Sequence, residues 1–274
     1  MAKAKAAEEV RAGATDASVD EAAAKMSAKD VVQALSHASY EELEGLICLH
    51  AYDTRKQVQK ALASALKRLE KMDEERARVN RMYEYQAALA PQGVVVGIDE
   101  VGRGSIAGPL TVCAVVLPDT PRIWGLNDSK QLTPKAREEL AAEVRETAVA
   151  VGIAHIPPES IDALGMGNSL RHAMRKAIED TGLEPDTVLI DGNPIGAHPL
   201  EKCVVKGDAR VACISAASIV AKVTRDALMV EYAAQYPQYH LDSCKGYASA
   251  AHIAAIREYG LSPIHRVSFC ENFV

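Results

Sequence analysis

Two kinds of hydrophobic spacing divide the chain. In residues 31–90 apolar side chains recur every three or four positions, the period of a helix with one buried face. Val31, Val32 and Leu35 share one face; Tyr40, Leu43, Leu46 and Ile47 share another, after Ser39 as a plausible N-cap. A longer amphipathic stretch runs from Asp53 to about Ala90, with Val58, Leu62, Leu66, Leu69 and Met72 on its apolar side. Its polar side carries Arg55, Lys56, Lys60, Lys67, Arg68, Lys71, Arg76, Arg78 and Arg81, which reads first as a solvated face and second as a nucleic-acid contact. Pro91-Gln92-Gly93 ends this pattern. Beyond it, short continuous apolar runs alternate with helical spacing. Strands are expected at 93–98, 110–117, 148–156, 187–190 and 203–205, and helices at 133–145, 168–180 and 209–235, with Thr133-Pro134 as cap and first helical residue. Alternating strands and helices with short connections predict an α/β domain over 91–274. A helical extension over 31–90 precedes it, and an Ala-, Lys- and Glu-rich segment over 1–30 has too little apolar bulk to order, so it is expected to be a mobile tail.

Composition narrows the class. Of 274 residues, 48% are hydrophobic and only 4% aromatic, so the core must be built from Ala, Val, Ile and Leu. No apolar run approaches the roughly 20 residues of a membrane span, and the N-terminus lacks a signal peptide's apolar centre. The six cysteines form no Cys-x-x-Cys pair, so reduced thiols in a cytoplasmic protein are expected rather than a zinc site or a disulfide framework. The net charge of −6 argues against a general nucleic-acid binder, but it is unevenly spread. Residues 51–90 carry 9 basic and 6 acidic side chains, whereas 91–274 carry 17 and 22.

The placement of the acids in the second region is informative. Asp99-Glu100 follow the first apolar strand run directly and precede Val101-Gly102-Arg103-Gly104. Asp191 ends another strand ahead of Gly192, and Asp208 stands just before the longest helix of this region. Carboxylates at strand ends project into the cleft at a sheet edge; if these converge they repel one another and need cations, and an oxygen-only set favours Mg²⁺ or Mn²⁺. The bland alternative is a set of unrelated caps and turns. It is weakest for Asp99-Glu100, because two adjacent charges after a buried strand are costly without partners.

The run 97–104 (GIDEVGRG) with Ala107-Gly108-Pro109 resembles the opening motif of the bacterial ribonuclease HII family, the type 2 ribonucleases H. The resemblance continues in order through Asn127-Asp128-Ser129-Lys130, Ile190-Asp191-Gly192, Lys206-Gly207-Asp208, Ser215-Ala216-Ala217-Ser218, Lys222-Val223-Thr224-Arg225-Asp226, Lys245-Gly246-Tyr247 and Ser262-Pro263-Ile264-His265-Arg266. It covers nearly all of 93–274, and the helical segment before it is similar to the N-terminal extension of longer members. The resemblance implies a ribonuclease H-like mixed sheet flanked by helices. It also implies an endonuclease acting on RNA–DNA hybrids and on duplex DNA with embedded ribonucleotides, leaving 5′-phosphate and 3′-hydroxyl ends. The family's four active-site acids map onto Asp99, Glu100, Asp191 and Asp208, which would bind two divalent cations.

Substrate recognition is expected from Gly102, Arg103 and Gly104 at the ribose and its phosphate, from Lys130 as a phosphate contact, and from the ring and hydroxyl of Tyr247 at the 2′-OH. His265 reads as a structural or substrate-side histidine and His198 as a loop histidine, and Lys222 with Asp226 as an intrahelical pair. Cys244 stands where a polar residue is more usual, and Ser105-Ile106 where Pro-Leu is more usual. A monomer is expected, since a duplex substrate demands no two-fold partner. The competing readings are another nuclease or resolvase with the same carboxylates and, from a different class, a non-catalytic nucleic-acid-binding module.

Overall fold

The computed structural model describes residues 26–274 and divides into two compact units at Ala77/Arg78. The segment expected to be a tail lies outside the described residues up to 25; Ala28–Asp30, its last residues, are helical.

The first unit is built from helices α1 (Ala28–His37), α2 (Tyr40–Leu49) and the start of α3 (Lys56–Leu89). Ser27 caps α1 by accepting from the Asp30 N–H. Ser39 and Glu42 close a capping box on α2: the Ser39 hydroxyl accepts from the Glu42 N–H and the Glu42 carboxylate from the Ser39 N–H. Val31, Leu35, Leu43, Val58, Leu62 and Ala65 form a small separate core. Leu66, expected on the buried stripe, is 52% exposed. The stripe follows 58, 62, 65, 69 and 72, alternating steps of four and three, and Ala65 rather than Leu66 falls on it. Part of the expected solvated basic face also turns inward. Arg68 donates to the Ala38 carbonyl at 2.9 Å, and the Arg76 guanidinium lies 3.5 Å from the Tyr40 ring centroid.

The second unit holds a five-stranded mixed sheet of order β3-β2-β1-β4-β5: β1 (Val95–Val101), β2 (Leu110–Val116), β3 (Ala150–Ile156), β4 (Thr187–Asp191) and β5 (Glu201–Val204). Strand β1 runs antiparallel to β2 and parallel to β4, and it continues past Asp99 and Glu100 to Val101. One face of the sheet packs on α7 (Ala212–Gln235) and, behind it, α4 (Pro134–Thr147), which Thr133 caps as expected. The other face packs on α6 (Met166–Glu179). Strand β1 and α7 approach so closely that a Cβ at Gly97 would lie 2.3 Å from the Cys213 backbone carbon, which is why the centre of this strand has no side chain.

Four helices went unread in the sequence: α5 (Pro158–Leu164), the short α8 (Leu241–Cys244), α9 (Ala250–Tyr259) and α10 (Val267–Cys270). The last three build a third cluster with Ile106, Tyr239 and Ile264, while Ile161 of α5 joins the core on the α6 side of the sheet. All six cysteines are free thiols. Among the described residues no helix is long and apolar enough to cross a membrane.

The Pro91 break is not where the compact units part. Val79, Met82 and Tyr83, near the end of α3, lie in the same buried cluster as α7. The Tyr83 hydroxyl accepts from the Ile123 N–H at 3.1 Å, and the Gln86 carbonyl oxygen accepts from the Cys213 N–H in the first turn of α7, at 2.9 Å. Removing residues 1–77 should therefore leave a cooperatively folding catalytic unit. Removing 1–90 strips three core side chains and should lower Tm by more than about 10 °C relative to the shorter truncation, as thermal melts of both would read. Equal Tm values would return the division to Pro91.

Candidate active site

Four of the expected site residues are delivered by strand ends and one short turn. Asp99 and Glu100 are consecutive on β1, so the pleat sends them to opposite faces. Asp99 shares the side of Gly97, the one that faces α7. Asp191 is the last residue of β4, and Asp208 lies in a single 3₁₀ turn, Gly207–Ala209, just before α7. The register Ile98↔Ile190 brings Asp99 and Asp191 to the same level of two neighbouring strands. The Gly207 N–H donates to Asp191 Oδ1 at 2.6 Å, which ties the turn carrying Asp208 to β4.

These acids feel one another. Asp99 is only 7% exposed; burial first, then Glu100, pushes its carboxyl well above the ordinary range, against the pull of the Ser218 hydroxyl. Burial also raises Glu100, with Arg103 opposing and Asp191 adding to the rise. Asp208, 8% exposed, is raised by burial, then by Asp191 and Asp128. A set of buried carboxylates that hold each other's pKa values up is short of positive charge.

Lys130 supplies part of that charge. Burial disfavours its ammonium, but Asp128 and then Asp208, Asp99 and Asp191 outweigh this and hold its pKa above the usual value. Its loop is pinned to α7: Ser215 Oγ donates to the Asn127 carbonyl and Ser218 Oγ to Ser129 Oγ, both at 3.0 Å. Ser215 and Ser218 are three residues apart on one helical face, so α7 sets the position of Lys130 and also lies beside Asp99.

The donor set is all oxygen, which suits Mg²⁺ or Mn²⁺ and not zinc. Among the described residues no three His, Cys, Asp or Glu side chains already stand grouped around one point. Like charges spread apart and take backbone donors: Asp99 Oδ1 accepts from the Glu100 N–H at 2.8 Å as Asp191 does from Gly207. The chemistry of the set fits divalent cations, and each carboxylate keeps a second oxygen beyond the one these donors use.

The recognition residues form a second group built on two buried guanidiniums. Gly102 has φ +87°, and a Cβ there would lie 2.1 Å from Arg225 Nε. Gly104 has open space where a side chain would be. Arg103 is exposed and lies 3.4 Å from Glu100 Oε1. Arg225, fully buried, donates to the carbonyls of Pro109, Ala107 and Lys245 and to Ser105 Oγ, at 2.8 to 3.1 Å. Arg266, also fully buried, donates to the carbonyls of Gly108 and Arg103. Among the described residues neither has a carboxylate within ion-pair distance, and burial lowers both pKa values, that of Arg266 to about 10; a guanidinium keeps its charge at neutral pH. Tyr247, 40% exposed, has its ring centroid 5.6 Å from the Arg225 guanidinium carbon. The preceding Gly246 carbonyl accepts from the Ile106 and Ala107 N–H groups, so the glycine loop and the Tyr247 segment form one hydrogen-bonded piece.

Sequence reading missed the role of Arg225, although a signal existed. Buried positions of α7 step through Ser218, Ala221, Arg225 and Met229, and an arginine on such a stripe must satisfy its donors indoors. Lys222 and Asp226, each one position after a residue of that stripe (Ala221 and Arg225), form the expected intrahelical pair at 2.9 Å. His198 sits in a loop, its Nδ1 accepting from the Leu200 N–H.

Comparison with known proteins agrees with this arrangement. Residues 96–272 match the family Ribonuclease HII, and residues 27–90 match the Ribonuclease HII N-terminal domain. A ribonuclease HII of Lachnoclostridium phytofermentans is 46% identical over 221 residues, spanning 80% of this chain and 87% of its own. That of Bacillus cytotoxicus is 38% identical over 247 residues, spanning 89% and 95%. Among solved structures, ribonuclease H2 from Pyrococcus horikoshii superposes with a TM-score of 0.57 at 27% identity, covering 66% of this chain and 99% of that one. Bst-RNase HIII, solved in complex with Mn²⁺, shares the fold at 20% identity and a TM-score of 0.53, covering 67% of this chain and 70% of its own. With two family domains in order and close relatives over most of its length, the chain belongs to the ribonuclease HII family of endoribonucleases.

Proposed function

We propose that this chain hydrolyses the RNA strand of RNA–DNA hybrids and also cuts at ribonucleotides embedded in duplex DNA, leaving 5′-phosphate and 3′-hydroxyl ends. The observation that carries the reading is the gathering of Asp99, Glu100, Asp191 and Asp208 on two neighbouring strand ends and the turn tied to them, where burial raises the carboxyls of Asp99, Glu100 and Asp208 and Asp191 adds to each rise. An anionic cleft is of no use to a protein that merely binds phosphates, since it repels them. It becomes useful once cations occupy it.

Asp99, Glu100, Asp191 and Asp208 would hold two divalent ions; the all-oxygen donor set favours Mg²⁺ or Mn²⁺, and a fold relative has been solved with Mn²⁺. Such ions, when bound, stabilise the attacking and leaving oxygens of an in-line phosphoryl displacement. The remaining work falls to this chain's own groups. Lys130 meets a phosphate as a point charge, and exposed Arg103 meets another. Gly104, with no side chain and free space around it, lets the backbone approach the ribose. Phosphate is common to RNA and DNA, so selectivity must come from the 2′-OH. Tyr247 and the 102–104 backbone are the groups placed to read it. A site that bonds this hydroxyl penalises its absence, because its own polar groups are left unpaired on a deoxy substrate.

Cleavage of a duplex with one ribonucleotide, of a hybrid and of an all-DNA duplex, each with Mg²⁺, Mn²⁺ or chelator, tests the assignment. The first two should be cut only with metal and the third not at all. Cutting of the all-DNA duplex at a similar rate would favour a general nuclease. Asp99→Asn should abolish turnover with the fold intact, and near-normal cleavage would remove Asp99 from the site. Tyr247→Phe should lose activity a few-fold and Tyr247→Ala on the order of a hundredfold, with plain-DNA binding little changed.

A stability measurement checks the electrostatics separately. A carboxyl whose folded pKa is raised stabilises the fold fully below its unfolded value, near 4, and that contribution is lost as pH rises through the raised value. In metal-free buffer Asp99→Asn should therefore raise Tm by about 2–4 °C at pH 8, and the gain should fade toward pH 4. A drop in Tm at pH 8 would mean that Asp99 is paired rather than repelled.

A further inference from the structure

Two imidazoles lie buried behind Tyr247, and the proposed chemistry uses neither. His252, in the first turn of α9, is 0% exposed, and His265 is 3% exposed. Their Nε2 atoms are 3.0 Å apart. His252 Nδ1 lies 2.9 Å from the Tyr247 carbonyl oxygen, and His265 Nδ1 lies 3.0 Å from the Ser262 backbone nitrogen and 2.8 Å from its hydroxyl. Tyr239 packs edge-on against both rings.

Backbone groups at the two ends fix every proton. A peptide N–H can only donate, so His265 Nδ1 accepts from Ser262 and the neutral ring carries its hydrogen on Nε2. A carbonyl oxygen can only accept, so His252 Nδ1 carries a hydrogen and its Nε2 is bare. The two Nε2 atoms then match: His265 donates and His252 accepts. The chain of bonds runs from the Ser262 N–H through both rings to the Tyr247 carbonyl with no polar atom left over, and it works only if both rings are neutral. Burial lowers both pKa values, that of His265 to about 4; for His252 the bond to the Tyr247 carbonyl opposes the shift and His240 adds to it, and for His265 the neighbouring His252 adds while Ser262 opposes. The other titratable neighbours are Cys244, whose Sγ lies 3.6 Å from His252 Nδ1 and whose thiol donates to the Tyr239 carbonyl, and Tyr239, whose hydroxyl donates to the Gly260 carbonyl. Among the described residues no carboxylate hydrogen-bonds either ring.

The segment that this chain reaches needs holding. Lys245 and Gly246 both have positive φ, +51° and +81°, and a Cβ at Gly246 would lie 2.4 Å from the Ala107 carbonyl oxygen. A left-handed lysine is strained and persists only where its surroundings over-determine it. Arg225 fixes the Lys245 carbonyl and the Ile106 and Ala107 N–H groups fix that of Gly246. The Tyr247 carbonyl is next in line; it accepts from the Ser249 N–H at 2.8 Å, and among the described residues His252 is the only side chain bonded to it.

We infer that His252 and His265 are positioning residues for ribonucleotide recognition, a neutral two-imidazole relay that locks the Tyr247 backbone and so aims its ring and hydroxyl at the substrate sugar. This rests on the reading of Tyr247 given above.

Two measurements test it. In ¹⁵N-histidine spectra of the wild-type protein, His252 should appear as the Nδ1–H tautomer and His265 as the Nε2–H tautomer at pH 7. The reverse assignment, or a charged ring, overturns the relay. The second is a double-mutant cycle on a duplex with one embedded ribonucleotide. His252→Phe should lower kcat/KM about tenfold, and His252→Asn, which keeps a donor near the Nδ1 position, should stay within about twofold of wild type. In a Tyr247→Ala background His252→Phe should cost nothing further, because the group it aims is gone. Should His252→Phe fail to fold, His265→Phe, which removes the donor that orients the His252 ring, completes the cycle. If Tyr247→Ala is crippled and the losses add, the histidines are merely structural and the inference fails alone. If Tyr247→Ala cuts as wild type while the tautomers stand, the reading of Tyr247 fails and the positioning role falls with it.

Discussion

Strand β1 has to be two things at once. It is the middle strand of the sheet, covered on both faces, and it carries two adjacent carboxylates at its C-terminal end. Most of the unusual packing nearby follows from that conflict. Gly97 lets α7 come to backbone contact, which buries the strand but also sets Ser218 beside Asp99. The same helix pins the turn that carries Lys130, a cation that Asp99, Asp191 and Asp208 all act on. Charge burial that would be a defect in a structural domain is here spread over three strand or turn ends and moderated by a lysine.

The recognition side meets the opposite problem, buried positive charge without acids. Arg225 and Arg266 spend their donors on carbonyl oxygens of the 102–109 loop and of Lys245. A guanidinium bonded to several carbonyls fixes more backbone than an ion pair would, because each bond ends on a different residue. It also leaves two net charges beneath the surface where a polyanion is proposed to lie. Carboxylate partners would cancel that field.

Much of this was legible in the sequence, for identifiable reasons. Asp99-Glu100 and Asp191 stood out because charges after uninterrupted apolar runs are improbable without a task. Asp208, alone, looked like a helix cap and gained meaning only from its company. Lys222 and Asp226 declared themselves by spacing. What stayed hidden depends on three-dimensional closure. Leu66 and Ala65 differ by one step on a helix, and hydrophobicity alone chose the wrong one. Helix α5 opens on Pro157-Pro158, which reads as a break although proline at a first turn is a start. His252 and His265 are thirteen residues apart and meet only because α9 folds back against the 260–266 loop; no local pattern announces that their rings share a proton.

The parallel pairing of β1 with β4 carries a consequence for how such a sequence can drift. Ile98 faces Ile190 across the ladder, so Asp99 and Asp191 are each the next residue on adjacent strands. Because side chains alternate along a strand, slipping either one by a single residue would turn its carboxylate to the opposite face. Deletions and insertions between the two acids are thus filtered by position and not by size. The 192–200 loop, clamped by the Glu201 carboxylate accepting from four of its backbone N–H groups, can exchange its side chains while keeping its path. A lineage could lengthen the connections on either side of α6 by many residues and keep its chemistry, yet lose it to one codon inserted in β4.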